Sequence, residues 1–100
     1  MAKLTIEELK AALKRLPNWR LADNREAITR NLQFVDFDAA FSFMTRVALK
    51  AAAMDHHPEW FNVYNTVEVT LATHDAGGVT YKDIELATAM DGYAAMSGGR

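Results

Sequence analysis

The segment Trp60-Phe61-Asn62-Val63-Tyr64-Asn65-Thr66-Val67-Glu68-Val69-Thr70-Leu71-Ala72 decides the fold. Val67, Val69 and Leu71 alternate with Glu68, Thr70 and Ala72, which is the period of two expected of a strand buried on one face. Trp60 to Tyr64 is aromatic and β-branched, the composition of a second strand. Asn65-Thr66 can turn the chain between them. The two runs therefore read as a hairpin with one apolar face.

A similar pair lies upstream. Asn18 to Ala22 reads as a short strand, with Trp19 and Leu21 on alternate positions. Asp23-Asn24 is turn chemistry. Ala27 to Phe34 resumes the alternation with Ile28, Leu32 and Phe34 on one face, interrupted by Arg30.

Helical patterns surround and separate the hairpins. Thr5 and Glu8 form a T-x-x-E capping box ahead of Leu9, Leu13 and Leu16, and Pro17 ends that helix. Asp36 is the N-cap of the longest helix. There Phe37, Phe41, Met44, Ala48 and Ala51 step by four and three, placing them on one face; Phe37, Phe41 and Met44 read as core. Ala51-Ala52-Ala53 favours continued helix, which must be over by Pro58. Asp75-Ala76-Gly77-Gly78 is a loop. Thr80 and Asp83 then open a third helix with an apolar stripe of Ile84, Ala87, Met90 and Ala94, frayed at Gly98-Gly99.

The order is α-β-β-α-β-β-α. The architecture expected is a single α+β domain over residues 1–100, a four-stranded antiparallel sheet with three helices on one face. The other sheet face, or a sheet edge, stays open and suits self-association.

Composition narrows the function classes. One hundred residues make one domain, with 24% charged side chains and a formal net charge of -2; a nucleic-acid binder would normally carry a basic face. There is no cysteine, hence no disulfide framework, thiolate nucleophile or Cys-based zinc site. The N-terminal residues lack a signal-peptide apolar region, and no apolar run approaches the roughly 20 residues that span a bilayer. A soluble, cytoplasmic protein is expected. Neither a dinucleotide fingerprint, a phosphate-binding loop nor a G-x-S-x-G turn is present.

The chemistry concentrates in the histidines. His56 and His57 are adjacent at a helix-to-strand junction before Pro58, and His74 ends the best strand. If the two strands of the hairpin pair, the start of one lies beside the end of the other, which brings His56-His57 near His74. Imidazole titrates nearest neutral pH, so such a cluster can both give and take protons. A dehydration needs both acts. Trp60 adds a flat surface that a heterocycle could contact, although core is its leading role. A bare His-His pair is by itself more often a polar loop, Asp55 can be a local cap, and Asp83 is well explained as an acid at a helix start. Three histidines could also hold zinc, but adjacent loop histidines seldom face one ion and no H-E-x-x-H spacing occurs, so no metal is expected.

Thr45-Arg46-Val47-Ala48-Leu49, followed by Asp55-His56-His57-Pro58-Glu59-Trp60-Phe61-Asn62-Val63-Tyr64-Asn65, closely resembles the pterin-4a-carbinolamine dehydratases. Thr73-His74-Asp75 and Asp83 complete the pattern at matching distances, and the resemblance runs from the first helix to the last. It implies the fold drawn above and a cytoplasmic lyase with no cofactor beyond its pterin substrate. That substrate, a 4a-hydroxytetrahydropterin formed when aromatic amino-acid hydroxylases oxidise tetrahydropterin, would yield quinonoid dihydropterin and water. By the same resemblance His56, His57 and His74 are catalytic and line the pterin pocket. Pro58, Thr73, Asp75 and Ala76 lie beside the substrate, and Trp60 and Asp83 support the site. One departure concerns Ala52, where animal members carry a charged residue four positions before the first histidine; the pH profile could differ here. Animal relatives also serve as dimerisation cofactors for a homeodomain transcription factor, so a non-catalytic interaction protein is the alternative. The family tendency implies a homodimer or homotetramer.

Overall fold

Arg30 interrupts an apolar strand, and a carboxylate from a distant helix, Asp91, meets its charge there. The computed structural model describes residues 2–100, with α1 at Ile6–Lys14, β1 at Arg20–Leu21, β2 at Ile28–Gln33, α2 at Phe37–Met54, β3 at Glu59–Val63, β4 at Thr66–Leu71 and α3 at Tyr81–Met96. The order α-β-β-α-β-β-α and the α+β class are as the sequence indicates. The four strands are antiparallel in the order β1-β2-β4-β3. β2 and β4 pair from Ile28↔Leu71 to Gln33↔Thr66, which joins the two hairpins into one sheet.

Ile28, Leu32, Val67, Val69 and Leu71 are buried on the face that the helices cover, together with Phe43 and Val47 of α2 and Leu86 and Met90 of α3. Arg30 stands on this same face at 6% exposure. Its guanidinium donates to Asp91 Oδ1 of α3 at 2.5 Å, and the indole N–H of Trp19 donates to the same oxygen at 2.8 Å. A buried charge persists only with a partner. Asp91→Ala is therefore expected to lower stability by about 2 kcal/mol, short of the full cost of a buried orphan because the carboxylate edge is partly wet. The urea midpoint reads this, and Arg30→Met added to Asp91→Ala should recover most of the loss.

Four expectations need correction. The first strand is only Arg20–Leu21, not Asn18 to Ala22. The Trp19 N–H bonds back to the Leu16 carbonyl at 2.9 Å and the side chain is buried in the core, so the strand begins only at Arg20. On α2 the buried face is Ala40, Phe43, Val47 and Ala51, while Phe37, Phe41 and Ala48 are exposed and Met44 is half-buried. Both stripes of this helix are apolar, so periodicity cannot choose between them. Tertiary packing does: α2 packs on α3, and Ala40, Phe43, Val47 and Ala51 are the side chains of this helix that join the common core. Gly98-Gly99 does not fray. Gly98 takes φ +71° and lets the Gly99 N–H reach the Ala94 carbonyl at 2.7 Å. A Cβ on Gly99 would come within 2.6 Å of the Phe34 ring. Arg100 and Gln33 then exchange backbone hydrogen bonds, which pins the chain end to β2.

The second hairpin is shifted by one residue. β3 runs Glu59–Val63, and Tyr64 at φ 49° with Asn65 makes the turn.

Candidate active site

The site begins where α2 stops. Asp55 adopts the left-handed conformation (φ 51°, ψ 44°) as the C-cap of α2. Aspartate tolerates that region better than most residues. The His56 N–H then bonds the Ala51 carbonyl at 3.0 Å, a six-to-one closure typical of helix ends. The closure turns His56 inward to 9% exposure, whereas His57 stays exposed.

His56 Nε2 lies 2.6 Å from Asp83 Oδ1, and the Asp83 side chain is fully buried. Asp83 has its place because α3 starts with a capping box. Its Oδ2 accepts the Thr80 backbone N–H at 2.9 Å and the Thr73 hydroxyl at 2.9 Å. Thr73 spends its single proton on Asp83, so the 2.8 Å contact between the Thr73 and Thr80 hydroxyls has Thr80 as donor. The carboxylate only accepts, so Nε2 of His56 carries a proton toward it, and Nδ1 is the ring nitrogen left for another partner. Among the described residues no buried side-chain nitrogen or oxygen lacks a partner.

His74 arrives from the other end of the hairpin. β3 and β4 pair antiparallel from Glu59↔Thr70 to Val63↔Thr66, so the residues before β3 and after β4 meet at one end of the sheet. Thr73 and Gly78 bridge the base of a short 3-10 turn at His74–Ala76, which Gly77 closes at φ 74°. The His74 side chain is 79% exposed.

One cleft of about 480 Å³ takes one wall from Asp55 to Glu59 and the other from Ala72 to Asp75, with Lys82 of α3 beside them. It thus gathers His56, His57, Pro58, Thr73, His74 and Asp75, the residues that the sequence singled out. Ala76 is not on its walls; it is half-buried in the turn. Trp60 is half-buried behind the cleft, packed against the core, and Asp83 lies beneath His56. The volume falls in the range of small-molecule sites. Among the described residues, no three His, Asp or Glu groups are arranged to hold a metal ion.

Three residues at the site escaped the sequence reading. Lys82 follows the Thr80 cap and joins the cleft only because α3 points its first turn there. Glu59 sits within the His-His-Pro-Glu-Trp run, where strand alternation could have marked it as outward-facing. Arg25, 34 positions from Glu59 in the chain, carries no local signal. Its guanidinium grips the Glu59 carboxylate with a fork of 2.8 and 2.9 Å, which holds Glu59 below the usual carboxylate range despite some opposing burial. In return Glu59 raises Arg25. Glu59 Oε2 lies 3.5 Å from His74 Nε2.

The arrangement offers imidazoles on facing walls of one cleft, one anchored by a buried carboxylate and one at a charged rim. Such a pair can deliver a proton to one atom of a bound molecule and remove one from its neighbour.

Residues 2–93 match the family described as pterin 4 alpha carbinolamine dehydratase. A Burkholderia multivorans protein provisionally named a pterin-4-alpha-carbinolamine dehydratase is 62% identical over 93 residues, covering 93% of this chain and 91% of its own. A solved structure from Brucella melitensis, described as a transcriptional coactivator/pterin dehydratase, superposes with a TM-score of 0.91 at 53% identity, covering 92% of this chain and 98% of that one. A pterin dehydratase-like protein described as a RuBisCO assembly factor of the alpha-carboxysome shares the fold, with a TM-score of 0.67 at 17% identity over 77% of this chain and 89% of its own. A family match along nearly the whole chain, joined to more than half identity with a relative of nearly the same length, makes this chain a member of the pterin 4 alpha carbinolamine dehydratase family.

Proposed function

We propose that this chain is a hydro-lyase that dehydrates a 4a-hydroxytetrahydropterin to quinonoid dihydropterin by histidine acid–base catalysis. The observation that carries the reading is the convergence of His56, His57 and His74 from two separate segments on one cleft. In the step proposed, His56 or His57 protonates the 4a-hydroxyl, the C4a–O bond breaks, and water leaves. His74 takes the N5 proton, and the N5 electron pair closes the new C4a–N5 double bond. Atoms and charge balance with no oxidant or cofactor. Pro58, Thr73 and Asp75 border the heterocycle, with Ala76 beneath them in the turn, while Trp60 and Asp83 brace the walls. An aromatic amino-acid hydroxylase is the class of enzyme that supplies such a substrate.

The test is a stopped-flow assay in which the 4a-hydroxytetrahydropterin is generated in situ, with and without the protein, in the presence of a chelator. Acceleration of about 10²-fold or more is expected from general acid–base catalysis. A rate no faster than the spontaneous one sinks the enzymatic reading, and activity lost only with chelator replaces it with a metal mechanism.

A second reading, a protein-interaction role, has its own observation. Phe37, Phe41 and Leu49 of α2 are 47%, 52% and 70% exposed, as are Phe61 and Val63 on the open sheet face at 61% and 55%. Apolar groups of this size at the surface favour association. We assign them first to contacts between copies of this chain in a dimer or tetramer, and only secondly to a foreign partner such as the coactivator role named for the Brucella protein. No helix among the described residues is long and apolar enough to cross a membrane.

A further inference from the structure

His74 is poorly held for a group that must meet one proton. It stands on a tight turn and is 79% exposed. The residue borders two depressions, the histidine cleft and a smaller hollow of about 250 Å³ by Arg25 and Gly77-Gly78. His56, by contrast, is braced by Asp83. An imidazole free to swing between two hollows spends part of its time out of line with the substrate, and misplacement by an ångström costs rate.

We propose that Glu59 and Arg25 are positioning residues for His74: Arg25 clamps Glu59, and Glu59 holds the Nε2 side of the imidazole so that Nδ1 takes the substrate proton. The inference rests on the acid–base reading of the cleft given above.

The three groups come from three places in the fold. Arg25 lies in the β1–β2 loop, Glu59 opens β3, and His74 follows β4. The guanidinium fork engages both oxygens of Glu59, which fixes the plane of the carboxylate. Oε2 is then shared with His74 Nε2 at 3.5 Å. A carboxylate only accepts, so the nitrogen facing it carries the proton and the opposite nitrogen keeps its lone pair. Arg25 matters because its fork fixes Glu59 and lowers that carboxylate's own affinity for the proton. The present separation is an ion-pair distance. Catalytic hydrogen bonds are often long in an empty site and tighten once substrate excludes water. All three groups are partly exposed, so the effect is modest.

The competing account is a surface ion pair that merely ties the β1–β2 loop to β3. The two accounts separate in the kinetics of Glu59→Gln, Arg25→Ala and Arg25→Lys. With positioning, Glu59→Gln and Arg25→Ala each lower kcat by about three- to tenfold with KM unchanged, as for an interaction made in the transition state. Arg25→Ala adds no further loss in the Glu59→Gln background, because both act through one ring. Arg25→Lys, which keeps the charge but not the fork, restores part of the rate. Unchanged kcat in Glu59→Gln, losses that multiply in the double variant, or losses confined to KM overturn the proposal. Wild-type protein that fails to accelerate dehydration overturns instead the dehydratase reading beneath it, so the two failures are distinguishable.

Discussion

His74→Ala is expected to slow dehydration by about 10²–10⁴-fold, the range of a lost general acid or base, while leaving the urea midpoint within experimental scatter. The two halves of this expectation come from one fact. The side chain is 79% exposed and its only charged neighbour within ion-pair range among the described residues is Glu59. Removing it opens no cavity and orphans no buried group, and surface changes of that kind stay within about 0.5 kcal/mol. The backbone of the turn depends on the Thr73–Gly78 bridge and on Gly77, not on the imidazole. A loss of rate without a loss of stability is thus the signature of a group retained for chemistry. Rates near wild type would remove His74 as the base for N5, and with it the need for the Glu59–Arg25 clamp. A parallel loss of stability would mean that the turn itself had been misread.

Asp83→Ala is expected to fail on both counts, for the opposite reason. Asp83 is fully buried and serves the His56 ring, the Thr73 hydroxyl and the Thr80 N–H at once. Taking the carboxylate away leaves those donors without acceptors in a site closed to water. The expected cost is about 3–5 kcal/mol, a large share of the roughly 5–15 kcal/mol that holds a domain together. The helix cap is lost in the same step. Asp83→Asn separates structure from chemistry. The amide keeps the volume and one acceptor, but must turn a donor toward one of the groups that now donate. Its stability should fall less than that of the alanine variant, whereas dehydration should drop by on the order of 10²-fold because His56 loses its fixed tautomer. Urea denaturation and the stopped-flow assay measure the two effects on the same samples. An asparagine variant with full activity would show that the His56–Asp83 contact is only structural.

Much of this protein is legible before any folding is considered, because its signals are local. The capping box at Thr5/Glu8 and the Thr80/Asp83 pair mark where two helices start; both helices begin there, and the second pair also closes a capping box. The alternation of Val67, Val69 and Leu71 marks the central buried strand. The antiparallel hairpin alone suffices to bring His56-His57 near His74, since two strands joined by a short turn must bring their far ends together. The hairpin thus groups the histidines without any spacing rule.

What the chain does not announce is which of two equivalent local solutions the whole fold selects. Arg30 looks like a fault in β2 until Asp91, 61 positions away, meets it inside the helical layer. Phe37 and Phe41 look like core until α3 claims the Ala40–Phe43–Val47 side of α2. Gly98-Gly99 looks like a loose end until Phe34 leaves no room for a side chain. Arg25 says nothing of His74 until Glu59 links them. Helix caps, strand periods and turns depend on contacts a few residues apart, and the sequence by itself determined them. The choice of helix face, the partner of a buried charge and the clamp on an exposed histidine depend on groups distant in the chain and adjacent in space, so only tertiary packing decided those.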